Sequence, residues 1–181
     1  HLYEGIDIGD EGAVGLITYM RTDSTRLSDD AVAMVRDFVK ETYGDDYLPE
    51  KANVFKTRKN AQDAHEAIRP TAMRTPEELK QYLTADQFKI YRLVWERFVA
   101  CQMKPALYDV TTVDIAAGKY GLRVKGETLK FAGWLKVAAD AVSAETKKKT
   151  ADGKDDEEPS EVIDQLPPVK KGQELTLHGD K

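Results

Sequence analysis

With 181 residues, 41% of them hydrophobic and 33% charged, the chain has material for one ordinary domain or two small ones and is not a disordered polymer. Its net charge is −5, and neither side of Pro105 is a polycation: 15 basic residues stand against 18 acidic before it, and 12 against 14 from there on. That disfavours indiscriminate electrostatic binding to DNA without excluding a local basic site. No apolar run approaches a bilayer span, and the single cysteine, Cys101, excludes an internal disulfide and a multi-cysteine zinc site and fits a reducing compartment.

The chain opens on His1 rather than Met with no signal-peptide pattern, and so reads as a piece of a longer polypeptide. Asp10-Glu11-Gly12 reads as a turn before Val14–Met20, a β-branched and aromatic run with the composition of a buried strand. The polar stretch Arg21–Thr25 follows. Ser28 is a helix cap, with Asp29 and Asp30 in the first turn; Val32, Val35, Phe38, Val39 and Tyr43 follow helical spacing, and Gly44 stops the helix. Asn60 caps a short helix that runs to Ile68 and breaks before Pro70. Thr75-Pro76-Glu77-Glu78 and Thr84-Ala85-Asp86-Gln87 are two further helix starts. The second of these opens a helix with Phe88, Tyr91, Val94, Trp95, Phe98 and Val99 on one stripe.

After Lys104-Pro105 the period changes. Residues 108–115 and 120–125 alternate as a hairpin turned at Gly118, and Leu129–Val137 reads as a third strand bent at Gly133. Residues 144–161 carry no large apolar side chain and read as a mobile charged loop, and Leu175–Leu177 reads as a last short strand. The fold class is therefore α+β: a mostly helical domain at 1–104 and a β domain at 105–181.

Two segments hold candidate chemistry. Tyr19 and Arg21 share one face of an extended chain, so the guanidinium meets whatever the phenol meets. A phenol titrates near 10 and is a poor nucleophile at neutral pH; a neighbouring cation favours its phenolate and neutralises a phosphate under attack. Asp23, Ser24 and Thr25 are short polar groups of the kind that orient an arginine or bind phosphate oxygens. Further on, His65 and Arg69 are four apart, neighbours if that turn is helical, and suit a phosphate or a base. The plainer alternatives are a rim tyrosine beside a solvent arginine, and a surface turn with a local ion pair. Asp63, His65 and Glu66 fan around one turn and make a poor metal site. Cys101 reads as packing, His178 as solvent-facing, and Lys147–Lys149 as part of a solvated loop; phosphate-binding glycine loops, GxSxG and HExxH are absent.

Gly15-Leu16-Ile17-Thr18-Tyr19-Met20-Arg21-Thr22-Asp23-Ser24-Thr25 resembles the active-site tyrosine segment of the bacterial type IA DNA topoisomerases. Ala64-His65-Glu66-Ala67-Ile68-Arg69-Pro70-Thr71 resembles that family's second signature, and the segments at 98–103 and 131–134 are also similar to it. The resemblance covers nearly the whole chain apart from 144–161. It implies a winged-helix-like tyrosine domain carried by a strand-rich arch, of which this chain holds only a part. It implies Tyr19 as the nucleophile that cuts one DNA strand through a 5′-phosphotyrosine link, and Arg21 as the catalytic residue on the scissile phosphate. DNA-binding roles follow for His65, Arg69 and Asp23, with Thr18, Ser24 and Thr25 in support. The implied activity is relaxation of negatively supercoiled DNA without ATP, by strand passage and religation, while the junction-acting topoisomerase III subtype stays open. The resemblance implies that Mg²⁺ belongs to a separate acidic domain, which also supplies a glutamate and a lysine, and that no residue of this chain is a metal ligand. The expected partners are single-stranded DNA and the other domains of the same polypeptide, with no membrane, in the bacterial cytoplasm near the nucleoid. The piece alone is expected to be monomeric and inactive. The competing class is a non-catalytic single-stranded DNA-binding or interaction module.

Overall fold

The computed structural model describes residues 1–55, 65–137, 162–163 and 166–176. It is α+β, and it divides into two compact units: His1–Ala106 with Ala132–Gly153, and Leu107–Phe131 with Lys154–Lys181. The charged stretch at 144–161, and the cap expected at Asn60, lie outside the described residues.

Among its described residues the first unit is built around the helices α1 (Asp29–Tyr43), α2 (Pro76–Leu79) and α3 (Ala85–Cys101). α1 starts where Ser28 caps it, the Ala31 N–H donating to Ser28 Oγ at 3.4 Å, and ends at Gly44 with φ 94°. α2 and α3 each open with a reciprocal capping box, Thr75 with Glu78 and Thr84 with Gln87. Each such cap satisfies donors that a helix start otherwise leaves unmet, worth about 1 kcal/mol. Most of the expected stripes pack: Val35 and Val39 of α1, with Ala31, which the spacing did not single out, meet Tyr91, Trp95, Phe98 and Val99 of α3 in one core with Leu2, Ile8, Leu16, Ile17, Leu79 and Met103, and Phe38, Tyr43 and Val94 pack against it, whereas Val32 and Phe88 do not join it. Phe38 meets Trp95 edge to face at 5.4 Å. Tyr91 is buried and still satisfied, its hydroxyl donating to the Arg74 carbonyl at 2.7 Å; burial raises its pKa.

Cys101 is half-buried packing at the end of α3, donating to the Phe98 carbonyl; burial pushes its thiol up to about 11 against the opposing effect of a hydrogen bond from Gln102. Gln102, fully buried, clasps the backbone of Asn53 from both sides, accepting its N–H at 3.0 Å and donating to its carbonyl at 2.9 Å. A buried amide is tolerated there because both of its ends are paired.

The run Val14–Met20 does not form one strand. Only β2 (Ala13–Val14) pairs with β1 (Ile6–Asp7), and beyond it a single bridge joins Ile17 to Pro70. The Tyr19 carbonyl then accepts the Arg21 N–H at 2.9 Å, a three-residue turn that ends the extended run. The chain is buried at Leu16 and Ile17 but not carried by a sheet.

The second unit is a hairpin, β3 (Leu107–Ala117) antiparallel to β4 (Tyr120–Phe131), joined by Gly118-Lys119 with Gly118 at φ 61°. A positive φ at the first of two turn residues is what a tight II′-type hairpin turn needs, and glycine supplies it without strain. β5 (Val162–Ile163), which the sequence pattern does not announce, adds to β4 in parallel at Lys125 and Gly126. The third strand expected over 129–137 is overturned. Residues up to Phe131 complete β4, and the chain then turns into the first unit, where the Trp134 N–H donates to the Lys104 carbonyl at 3.0 Å. Gly133, at φ 49°, is needed there, because a Cβ would lie 2.5 Å from the Lys104 and Pro105 carbonyl oxygens. Leu175 and Thr176 are not in a strand, and Leu177 lies outside the described residues. No helix among the described residues is long and apolar enough to cross a membrane.

Candidate active site

The candidate residues come together because two segments distant in sequence lie against each other. Around the Ile17–Pro70 bridge, the Thr18 N–H donates to the Arg69 carbonyl at 2.9 Å and the Thr71 N–H to the Leu16 carbonyl at 3.1 Å. Side chains extend the seam. Thr18 Oγ1 donates to the Ala67 carbonyl at 2.8 Å and accepts the Arg69 N–H at 3.0 Å. The Ser24 hydroxyl donates to the His65 carbonyl at 2.7 Å, and the Ala67 N–H donates to the Arg26 carbonyl at 2.8 Å. Short hydroxyl side chains do this well because they hydrogen-bond to nearby backbone at little entropic cost.

The helical turn expected to put His65 and Arg69 on one face is therefore corrected. From His65 to Ala67 the chain is not helical; its backbone groups are taken by the 15–28 segment instead. Arg69 is turned inward. Its Nε and Nη2 donate to Glu66 Oε2 at 3.0 and 2.7 Å, its Nη1 donates to the Pro70 carbonyl at 2.9 Å, and its side chain is 14% exposed. This is the local ion pair of the plainer reading, and it engages all three guanidinium nitrogens of Arg69.

Glu66, which the sequence offered only as a weak metal ligand, joins two parts of the seam. Its second oxygen accepts the Ser28 N–H at 3.0 Å, so one carboxylate ties Arg69 to the start of α1. Burial raises its pKa, but hydrogen bonds from Ser28 and Arg69 and the Arg69 charge outweigh burial and hold the carboxyl below its ordinary 4.5. A group that ionises more readily folded than unfolded stabilises the fold fully above its unfolded pKa, and this is lost as pH falls through the lowered folded value. Glu66→Gln should thus lower stability at neutral pH and flatten the acid limb below about pH 4.5. Urea unfolding at several pH values checks this; an unchanged acid limb would remove Glu66 from that role.

Tyr19 stands at the surface of this seam, 53% exposed. Its ring meets Tyr3 edge to face at 5.4 Å and His65 in a tilted contact at 6.2 Å. Arg21 Nε donates to Asp23 Oδ2 at 2.8 Å, with side chains 38% and 36% exposed, and its two Nη groups bond to no described residue. Asp23 Oδ1 is buried with no hydrogen-bond partner among the described residues. Asp23 thus holds one edge of the guanidinium and leaves the other available. Ser24 is buried in the seam and Thr25 is at the surface. Thr18 and Ser24 support the site through backbone. Tyr3 was missed: nothing local in Leu2-Tyr3-Glu4 marks it, and it reaches Tyr19 only because the Leu2 carbonyl accepts the Leu16 and Ile17 N–H groups. Among the described residues no three His, Cys, Asp or Glu side chains converge in a group able to hold a metal ion.

This arrangement offers an exposed phenol, a guanidinium held by one edge two residues on, and an imidazole against the phenol ring. A family model described as DNA topoisomerase matches residues 1–181. The solved structure of full-length topoisomerase I from Thermotoga maritima is similar, at 42% sequence identity and a TM-score of 0.64 over 75% of this chain. The chain spans 21% of that protein's length. With a match along all 181 residues, and a solved relative sharing two residues in five over the aligned part, the chain belongs to the type IA DNA topoisomerase family.

Proposed function

We propose that this chain carries the nucleophile of a topoisomerase that relaxes negatively supercoiled DNA by cutting and resealing one strand. The observation that carries the reading is Tyr19: an exposed phenol flanked by two aromatic rings, with Arg21 two residues away and held at Nε by Asp23. The phenolic oxygen attacks a backbone phosphorus. A bond from phosphorus to the tyrosine oxygen forms, the bond to the 3′ oxygen breaks, and the proton lost by the phenol is matched by one gained at the 3′ hydroxyl. The 5′ phosphate stays on Tyr19. Because one phosphodiester replaces another, the bond energy is kept, and the 3′ hydroxyl reverses the step after a strand has passed, with no nucleotide hydrolysed.

Arg21 offers its open Nη edge to the phosphate oxygens, where negative charge grows during attack. His65, with its backbone held by Ser24, presents a ring beside the phenol that suits a splayed nucleotide of single-stranded DNA. Arg69 acts by positioning: its ion pair with Glu66 holds the segment that presents His65. In this reading the first unit carries the chemistry and the β3–β4 hairpin belongs to the strand-rich arch. Mg²⁺, held by a separate domain of the intact enzyme outside this chain, would supply electrostatic stabilisation to the phosphate. The enzyme's partners are single-stranded DNA and its own remaining domains, in the bacterial cytoplasm.

The test is relaxation of negatively supercoiled plasmid without nucleotide. The full-length enzyme should relax it and the purified 181-residue chain should not. Relaxation by the chain alone would contradict the placing of essential groups elsewhere.

A further inference from the structure

A solvent-exposed tyrosine on a chain not carried by a sheet has few neighbours to limit its rotamers, and in-line attack tolerates little error: a misplacement of about 1 Å costs on the order of a hundredfold. The structure holds a device against this that lies at the other end of the segment. The Leu2 side chain is buried in the core, and its carbonyl accepts the N–H groups of Leu16 at 2.7 Å and Ile17 at 3.3 Å. A Cβ on Gly15 would lie 2.7 Å from the Tyr3 carbonyl oxygen, so residue 15 must lack a side chain for the two backbones to come this close. The Gly5 N–H closes a turn on the His1 carbonyl at 2.9 Å. Tyr3 thus sits between held backbone groups, Leu2 before it and the turn from His1 to Gly5 around it, and its ring meets Tyr19 at 5.4 Å with the planes 64° apart. In that geometry the positive edge of one ring faces the negative face of the other, an orientation-dependent contact rather than a greasy one.

We propose that Tyr3 is a positioning residue for Tyr19: it holds the ring of the nucleophile in the orientation from which the phenolic oxygen attacks. The inference rests on the reading of Tyr19 as nucleophile. The ring of Tyr3 does the holding, and its hydroxyl has no part in it.

The test uses the full-length enzyme and single-turnover cleavage of an end-labelled single-stranded oligonucleotide at saturating enzyme. Tyr3→Leu should slow cleavage about tenfold, the size of one aromatic pair. Oligonucleotide Kd and the unfolding midpoint should stay unchanged, because Tyr3 is 44% exposed and carries little of the core. Tyr3→Phe should restore the rate. Tyr3→Gln serves as a second non-aromatic variant should leucine disturb the fold, with the same slowing expected. Native cleavage rates in both non-aromatic variants would overturn the proposal. So would weaker oligonucleotide binding at an unchanged saturating rate, which would make Tyr3 a base-stacking surface. Equal slowing in Tyr3→Phe would also overturn it, by assigning the effect to the hydroxyl. Tyr19→Phe, run alongside, separates the two readings: an adduct that survives it sinks the nucleophile assignment, whereas loss of that adduct with a fast Tyr3→Leu sinks only the positioning role.

Discussion

Tyr19→Phe in the full-length enzyme should abolish both the covalent protein–DNA adduct and plasmid relaxation, a loss of about four orders of magnitude or more. The change removes one oxygen. The ring, its edge-to-face contact with Tyr3 and its contact with His65 all remain, and the side chain is already 53% exposed, so the fold has nothing to lose. Single-stranded DNA binding should persist within about twofold, since phosphate and stacking contacts supply it. This split between lost chemistry and kept binding separates an enzyme's nucleophile from a plain DNA-binding module, in which the change would be silent. Gel detection of an end-labelled strand attached to protein reads the adduct directly.

The second large effect falls on Arg21. Arg21→Ala should lower the cleavage rate about 100- to 1,000-fold, the range for removing one preorganised donor from a developing charge. Arg21→Lys should recover only part of this. A lysine ammonium is a point charge, whereas the guanidinium holds Asp23 with Nε and still offers Nη groups to the phosphate. Asp23 fits this division of labour: one oxygen grips Arg21, and the other is buried without a described partner. Single-turnover cleavage separates the effect from DNA affinity, and a cleavage rate unchanged in Arg21→Ala would remove Arg21 from the transition state.

How much of this was legible beforehand follows from the range of the forces involved. Ser28, Thr75 and Thr84 announce their helices because a cap is decided within one turn. The stripe from Tyr91 to Val99 and the Gly118 hairpin are equally local, a matter of period and of one permitted φ. The seam between 15–28 and 65–71 is not. It is made by Thr18 and Ser24 donating to carbonyls more than 40 residues away, and no spacing encodes that. Hence the expected strand from Val14 to Met20 is a bridged, turning segment, and the expected helical face of His65 and Arg69 is an irregular segment with Arg69 turned onto Glu66. Tyr19, Arg21 and His65 were reachable through motif resemblance, which carries long-range information that composition lacks. Tyr3 was reachable by neither route, since its place depends on the Leu2 carbonyl meeting the Leu16 N–H across a loop.

The most direct test of the account is the identity of the atom joined to DNA. The full-length enzyme is trapped on an end-labelled single strand, digested with protease, and the nucleotide-bearing peptide sequenced by mass spectrometry. The expected peptide spans Arg21's neighbours with the modification on Tyr19, linked through a 5′ phosphate and leaving a free 3′ hydroxyl on the other fragment. A nucleotide on any other residue, or a 3′-phosphate linkage, would contradict it.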